Sequence, residues 1–356
     1  GFSLSERGPG DGFNRVPRVD GRLKPHDNRI TNTQQLATDT EPVLGGDPTQ
    51  GYQRNIQINR VGRTVNTHSH FIETTDNFRT DLGFQNRFFK PDTSGIHNSL
   101  NLNFYPESPN INSWTAGLFD VYLNDTDGTR IYHQLGPNFE LNFATTTIGA
   151  RFTDYAEILR PKDFIGVISN TRYDYENWQI DFSNNTSQTA SIRASYRQGR
   201  ALNLVPTRGA LPYVANTSRV DISFFWRPIE RLQIQNTYFL TELENRNSNT
   251  KIFTNEIFRS NWNYQFTKEL SLRFITQYDK TDSGPATRLE DNENLNFDLL
   301  LRYVINPWSA FYVGYNSNQS NFDIVEMEGE RELVVANELR QDGDQIFVKF
   351  SYLFQR

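Results

Sequence analysis

The chain has 356 residues, a formal net charge of −6 and no cysteine, which excludes disulfides, thiolate metal sites and thiol nucleophiles. Only 36% of the residues are hydrophobic, yet 13% are aromatic; disordered chains are poor in aromatics, so the low mean hydropathy of −0.67 does not mark disorder. The acidic balance and the lack of a basic run argue against a nucleic-acid binder, and no stretch approaches the roughly 18 apolar residues of a membrane helix.

Read in chain order, the apolar residues recur with period two, the period of a strand with one apolar and one polar face. The pattern predicts strands over about 18–24, 28–37, 51–60, 63–73, 97–105, 113–123, 130–143, 146–157, 163–173, 175–184, 188–198, 218–227, 231–242, 252–266, 270–280, 294–305, 309–316 and 345–354. Early strands alternate weakly: Ile56 and Ile58 oppose Gln57 and Asn59. Later ones alternate strongly: Leu295, Phe297, Leu299, Leu301, Tyr303 and Ile305 oppose Asn296, Asp298 and Arg302. In the last strand Ile346, Val348, Phe350, Tyr352 and Phe354 share a face, and Phe347 breaks the rule on the other. No segment sustains helical spacing with caps. Short turn clusters such as Asn306-Pro307 alternate with long polar connectors at about 199–217, 281–293 and 317–342.

Soluble sandwiches and propellers share this period, but their strands usually run about 5–6 residues. Many of the predicted strands reach the roughly 9–11 residues that cross a bilayer. The apolar faces are aromatic, and Trp226, Trp262, Tyr264, Tyr278, Trp308, Tyr352 and Phe354 fall near strand ends, where membrane barrels carry aromatic girdles. The expected fold is therefore all-β: one antiparallel transmembrane β-barrel of the outer-membrane type over residues 1–356. Roughly 16–18 strands are visible, and residues 1–17 form a flexible or incomplete N-terminal segment. The start at Gly1 suggests a processed or truncated chain, with room for further strands upstream.

Three blocks carry a more specific likeness: Ile257-Phe258-Arg259-Ser260-Asn261-Trp262-Asn263-Tyr264-Gln265-Phe266-Thr267; Leu299-Leu300-Leu301-Arg302-Tyr303 with Asn306-Pro307-Trp308; and Phe347-Val348-Lys349-Phe350-Ser351-Tyr352-Leu353-Phe354. With Phe78-Arg79-Thr80-Asp81-Leu82-Gly83-Phe84 and Arg87 upstream, they resemble the C-terminal barrel of bacterial surface proteins that carry an N-terminal family-nine-like carbohydrate-binding module. The resemblance spans roughly residue 10 to the end. It implies the outer membrane of a Gram-negative bacterium and a link to carbohydrate. The sugar-binding module itself is absent, so no sugar-site residue carries over.

On the polar faces Arg193, Arg197, Arg259, Arg273, Asp298, Arg302 and Lys349 are the expected lumen-facing charges, because charge toward lipid is costly. They form either a selective pore wall or a paired network filling a closed lumen. Phe225, Phe239, Tyr312 and Phe347 share that side and could stack on sugar rings or fill space. His68 and His70, two apart on one strand face, are a weak metal pair with no third ligand nearby in sequence, and read as readily as ordinary wall residues. Asn124-Asp125-Thr126-Asp127-Gly128 starts like a calcium loop, lacks the downstream Glu, and reads better as a turn. Glu242, Glu244, Asp291, Glu293 and Glu328 could pair as glycosidase carboxylates, but loop carboxylates this abundant pair by chance.

No catalytic residue, metal or cofactor is assigned. The expected role is a channel or surface anchor for carbohydrate or other nutrient uptake. The alternatives are a membrane-associated glycan hydrolase and a structural barrel subunit of a larger complex. Expected partners are the lipid bilayer and lipopolysaccharide, the barrel assembly machinery, and oligosaccharides or a partner complex, with no nucleic acid.

Overall fold

The computed structural model describes residues 1–8, 12–42, 46–80, 92–185, 187–327 and 330–353, and among these it contains strands and turns but no helix. Among the described residues there are eighteen strands. They are β1 Phe2–Arg7, β2 Phe13–His26, β3 Arg29–Glu41, β4 Thr49–Arg60, β5 Val65–Thr74, β6 Thr93–Phe104, β7 Ile111–Asp125, β8 Arg130–Phe143 and β9 Thr146–Leu159. There follow β10 Thr171–Asn184, β11 Ala190–Asn203, β12 Tyr213–Ile229, β13 Leu232–Glu244, β14 Lys251–Gln265, β15 Leu270–Ser283, β16 Asn292–Asn306, β17 Ser309–Met327 and β18 Glu330–Tyr352.

The chain divides into two units: Gly1–Asn142 with Ala150–Glu176, and Phe143–Gly149 with Asn177–Arg356. In each, the registered neighbours are sequential antiparallel hairpins, β1 to β7 in the first and β10 to β18 in the second. Because the strands reverse at every turn, alternate connections lie at the same end of a unit. In the second unit one end carries the tight turns at 230–231, 266–269 and 307–308, and the other carries 204–212, 245–250 and 284–291. Short turns at one end and longer loops at the other are a barrel habit.

The register aligns the apolar faces. Leu299 of β16 lies between Phe274 of β15 and Tyr315 of β17, and Leu301 lies between Leu272 and Val313. That face is bare: Leu299, Leu301, Tyr303 and Ile305 are 37–52% exposed. In the first unit Ile56, Ile58, Leu100, Leu118 and Phe139 are likewise exposed. A soluble monomer of 41.3 kDa exposes about 15,000 Å² by size scaling, whereas this chain exposes 22,392 Å². Burial of apolar surface therefore does not hold the sheet together in water; the ladders need an apolar solvent against one face. From Leu295 to Ile305 the apolar run measures about 34 Å along the strand, or about 25 Å across a bilayer at the usual barrel tilt.

The buried clusters are small and sit near the long-loop ends. One joins Val121, Leu123, Ile131 and Tyr132. The other joins Ala215, Leu243 and Ile252.

The structure departs from the sequence reading at several points. Residues 1–17 contain β1 and the start of β2. The loops expected at 199–217 and 281–293 shrink to 204–212 and 284–291. The segment 317–342 is mostly strand, because β17 and β18 pair as far as Met327 and Glu330. The sequence of this hairpin extension mixes apolar and charged residues without a period-two contrast, so it reads as a loop. Of the strand expected at 163–173, residues 163–170 are instead the loop before β10, with Ile165 and Ile168 97% and 94% exposed, and 171–173 open β10.

Candidate functional site: a basic strand face and an amide-lined cavity

In the second unit the polar side chains share the face opposite the exposed apolar one. One cross-strand row runs Ser183, Arg193, Ser223, Thr237, Arg259, Gln277, Asn296, Asn318. A second runs Gln265, Ser271, Arg302, Tyr312, Lys349. Arg273 stands between Asn263 and Leu300, and Asp298 between Ile275 and Asn316. Arg197 donates to Gln179 Oε1 through Nε and Nη2 at 3.0 and 2.6 Å. Asn316 donates to Asp298 at 2.5 Å, and the Lys349 ammonium lies 5.9 Å from the Tyr312 ring centroid. Among the described residues, no carboxylate forms an ion pair with Arg193, Arg259, Arg273 or Arg302. Phe225, Phe239 and Phe347 also lie on this face; a Cβ at Gly314 would meet the Phe347 ring at 2.2 Å, so the bare glycine makes room for that ring.

The aromatic residues named from sequence fall on the other side. Trp226, Trp262, Tyr264 and Tyr278 share the apolar face, and Trp226, Trp262, Trp308 and Tyr352 are 43–53% exposed. The Trp262 indole N–H is satisfied by Ser260 Oγ at 2.7 Å. Phe354 lies outside the described residues, as do Glu328 and residues 81–91 of the upstream motif.

The first unit holds a cavity of about 750 Å³ against the polar face of β5 to β9. Its lining includes the amides of Asn66, Asn101, Asn103, Asn138 and Gln134, with Glu140, Arg151 and Phe119 beside them. The Arg151 guanidinium lies 5.4 Å from the Phe119 ring centroid. A Cβ at Gly117 would lie 2.3 Å from Asn101 Oδ1 and 2.5 Å from Asn138 Oδ1. Glycine at that point lets the two amides lie across β7. Neither amide has a hydrogen-bond partner among the described residues, so both keep donors and acceptors for a visitor. His70 and His97 line the same cavity. Sequence reading missed His97, because 27 residues separate it from His70 and only the β5–β6 register sets them opposite each other. Among the described residues, no three His, Asp or Glu side chains converge to hold a metal as they stand.

Tyr132, Tyr155 and Tyr175 form an aromatic row on neighbouring strands; the last two stack at 4.7 Å, and Tyr175 Oη donates to the buried Glu157 at 3.2 Å. Arg160 pins the adjoining loop, with Asp125 at 3.0 Å and Asp163 at 2.8 Å. Lys162 adds an ion pair to Asp92. Burial disfavours the Arg160 charge, but hydrogen bonds to Asp163 and Asp125 more than offset it and raise its pKa further. The 124–128 segment is the β7–β8 turn, with Gly128 at φ 85° and the Thr126 N–H bonded to Asp125 Oδ1 at 2.8 Å. Of the carboxylates considered for hydrolysis, Glu293 pairs with Lys280 at 2.7 Å, and Glu242 accepts from Ser218 at 2.7 Å.

No protein-family model matches the chain, and no curated protein matches it. Solved structures do. The copper transporter OprC matches with a TM-score of 0.56 at 10% identity, over 97% of this chain and 64% of that one. The siderophore receptor PiuA from Acinetobacter baumannii matches with a TM-score of 0.50 at 12% identity, over 99% and 69%. OmpT, an outer membrane protein of Vibrio cholerae, covers 95% and 97% at 13% identity with a TM-score of 0.39. The chain thus spans 64% of OprC's length. At these identities the likeness shows the fold alone. That fold is an antiparallel β-barrel of the bacterial outer membrane, with its apolar face against the lipid bilayer.

Proposed function

We propose that the chain is an outer-membrane channel for small polar solutes, favouring anions and polyhydroxylated nutrients. One observation carries this reading: on the face turned away from the apolar band, Arg193, Arg259, Arg273 and Arg302 have no carboxylate partner among the described residues. A network built to fill a closed lumen would pair them, since unpaired charge away from water is expensive. Facing water, they attract anions and set selectivity by charge and width. Amides with free donors and acceptors beside a phenyl ring suit a sugar, which offers paired hydroxyls and an apolar ring face. The resemblance to barrels carried with a carbohydrate-binding module points the same way. Such a barrel would meet lipopolysaccharide in the outer leaflet and the barrel assembly machinery during insertion.

Liposome swelling with the folded chain tests the proposal. Uptake of small sugars and anions that falls with solute size is expected, and Asn101→Ala with Asn138→Ala should weaken sugar block of conductance. Folded, inserted protein that passes no solute would overturn it.

A further inference from the structure

Three of the chain's five histidines gather on one patch of the β5–β6 wall. The His68 ring lies 5.2 Å from the His97 centroid and 6.1 Å from that of His70. Two imidazoles bound to one tetrahedral ion, at metal–nitrogen distances of about 2.0–2.1 Å, hold their centroids about 5.2 Å apart. His68 and His97 already stand at that spacing. His70 is about 0.9 Å too far from His68 for that spacing, so binding through all three rings requires a small shift of the His70 side chain.

The hydrogen bonds prepare the donors. His68 Nδ1 lies 2.6 Å from Asn59 Oδ1, and His70 Nε2 lies 2.9 Å from Asn55 Oδ1. An amide oxygen only accepts, so each of these nitrogens carries the proton. His68 Nε2 and His70 Nδ1 are left with lone pairs. Metal-bound imidazoles are oriented by this kind of outer bond from the second nitrogen to a carbonyl. The His97 ring makes no hydrogen bond among the described residues, so either of its nitrogens can turn to an ion.

We propose that His68, His97 and His70 bind one borderline divalent transition-metal ion of the zinc, nickel and copper class, reached through the amide-lined cavity. Neutral imidazoles suit such ions, whereas calcium and magnesium prefer oxygen. A fourth position stays open to water or an anionic solute. The site belongs to one stretch of wall and does not depend on whether the barrel conducts.

The test uses untagged full-length chain folded in detergent micelles. Zinc, nickel and copper are titrated by calorimetry, and cobalt by its visible absorption, which distinguishes tetrahedral from octahedral coordination. One ion per chain is expected. His68→Asn and His97→Asn should each weaken binding at least about 10-fold. His133→Asn, whose ring instead meets Asp120 at 3.0 Å, should leave it unchanged. Acidification should release the ion, because the ligands must be deprotonated. Folding is checked by gel mobility before and after heating. Should a variant not fold, metal-induced shifts of the imidazole resonances in the unaltered chain decide the matter. No stoichiometric binding, or binding indifferent to His68 and His97, overturns the proposal.

Discussion

Leu299 and Leu300 are adjacent residues of one type on opposite faces of β16. Leu299 is 40% exposed between Phe274 and Tyr315, near the middle of the apolar run. Leu300 lies between Arg273 and Gly314. If the apolar face meets hydrocarbon, Leu299→Arg places a guanidinium near the bilayer midplane, at a cost of about 2–4 kcal/mol. That lowers the folding equilibrium constant about 30- to 900-fold. Leu300→Arg points the same charge into water, where its main cost is repulsion from Arg273, about 1 kcal/mol or less. Were the sheet a soluble one, Leu299→Arg would be an ordinary exposed substitution worth within about 0.5 kcal/mol. Denaturant titration of folding into phospholipid vesicles, followed by tryptophan fluorescence, measures both. A Leu299→Arg penalty no larger than that of Leu300→Arg would refute the assignment of faces.

Three further outcomes follow from contacts described above. Arg160→Met removes the cation that Asp125 and Asp163 share, while Lys162 stays 3.5 Å from Asp125. The cost should approach about 3 kcal/mol, seen as faster hydrogen exchange in the 160–170 loop; unchanged exchange would show the clamp to be idle. Gly314→Ala should cost about 1–3 kcal/mol by colliding with the Phe347 ring. Adding Phe347→Ala should recover part of that loss, and strictly additive losses would contradict the contact. Gly117→Ala should displace the Asn101 and Asn138 amides and weaken sugar block more than it weakens folding; equal effects on both would deny the cavity a binding role.

The fold was legible where one face is apolar and the other polar over ten residues, as in β14 to β16. It was less legible where function or water relaxes that contrast. Phe347 looked like an error in the last strand; the cause is Gly314 on the neighbouring strand, which no local pattern reveals. Phe164, Ile165, Val167 and Ile168 make a short apolar run like that of a strand, yet Gly166 adopts φ 96° and the segment turns. Among the described residues, the strand expected at 163–173 is largely loop, and β1 has no counterpart in the alternation. The outer part of the long β17–β18 hairpin has too little period-two contrast to announce itself. The basic residues were legible one by one, because alternation fixes their face. Their grouping into rows depends on register, and so does the meeting of His70 with His97.

Single-channel recording in a planar bilayer tests the central claim most directly. The account predicts stepwise conductance with anions preferred over cations, and a weakened or reversed preference in Arg273→Glu with Arg302→Glu. Stable insertion of folded protein without conductance, or a selectivity unmoved by those charges, would contradict it.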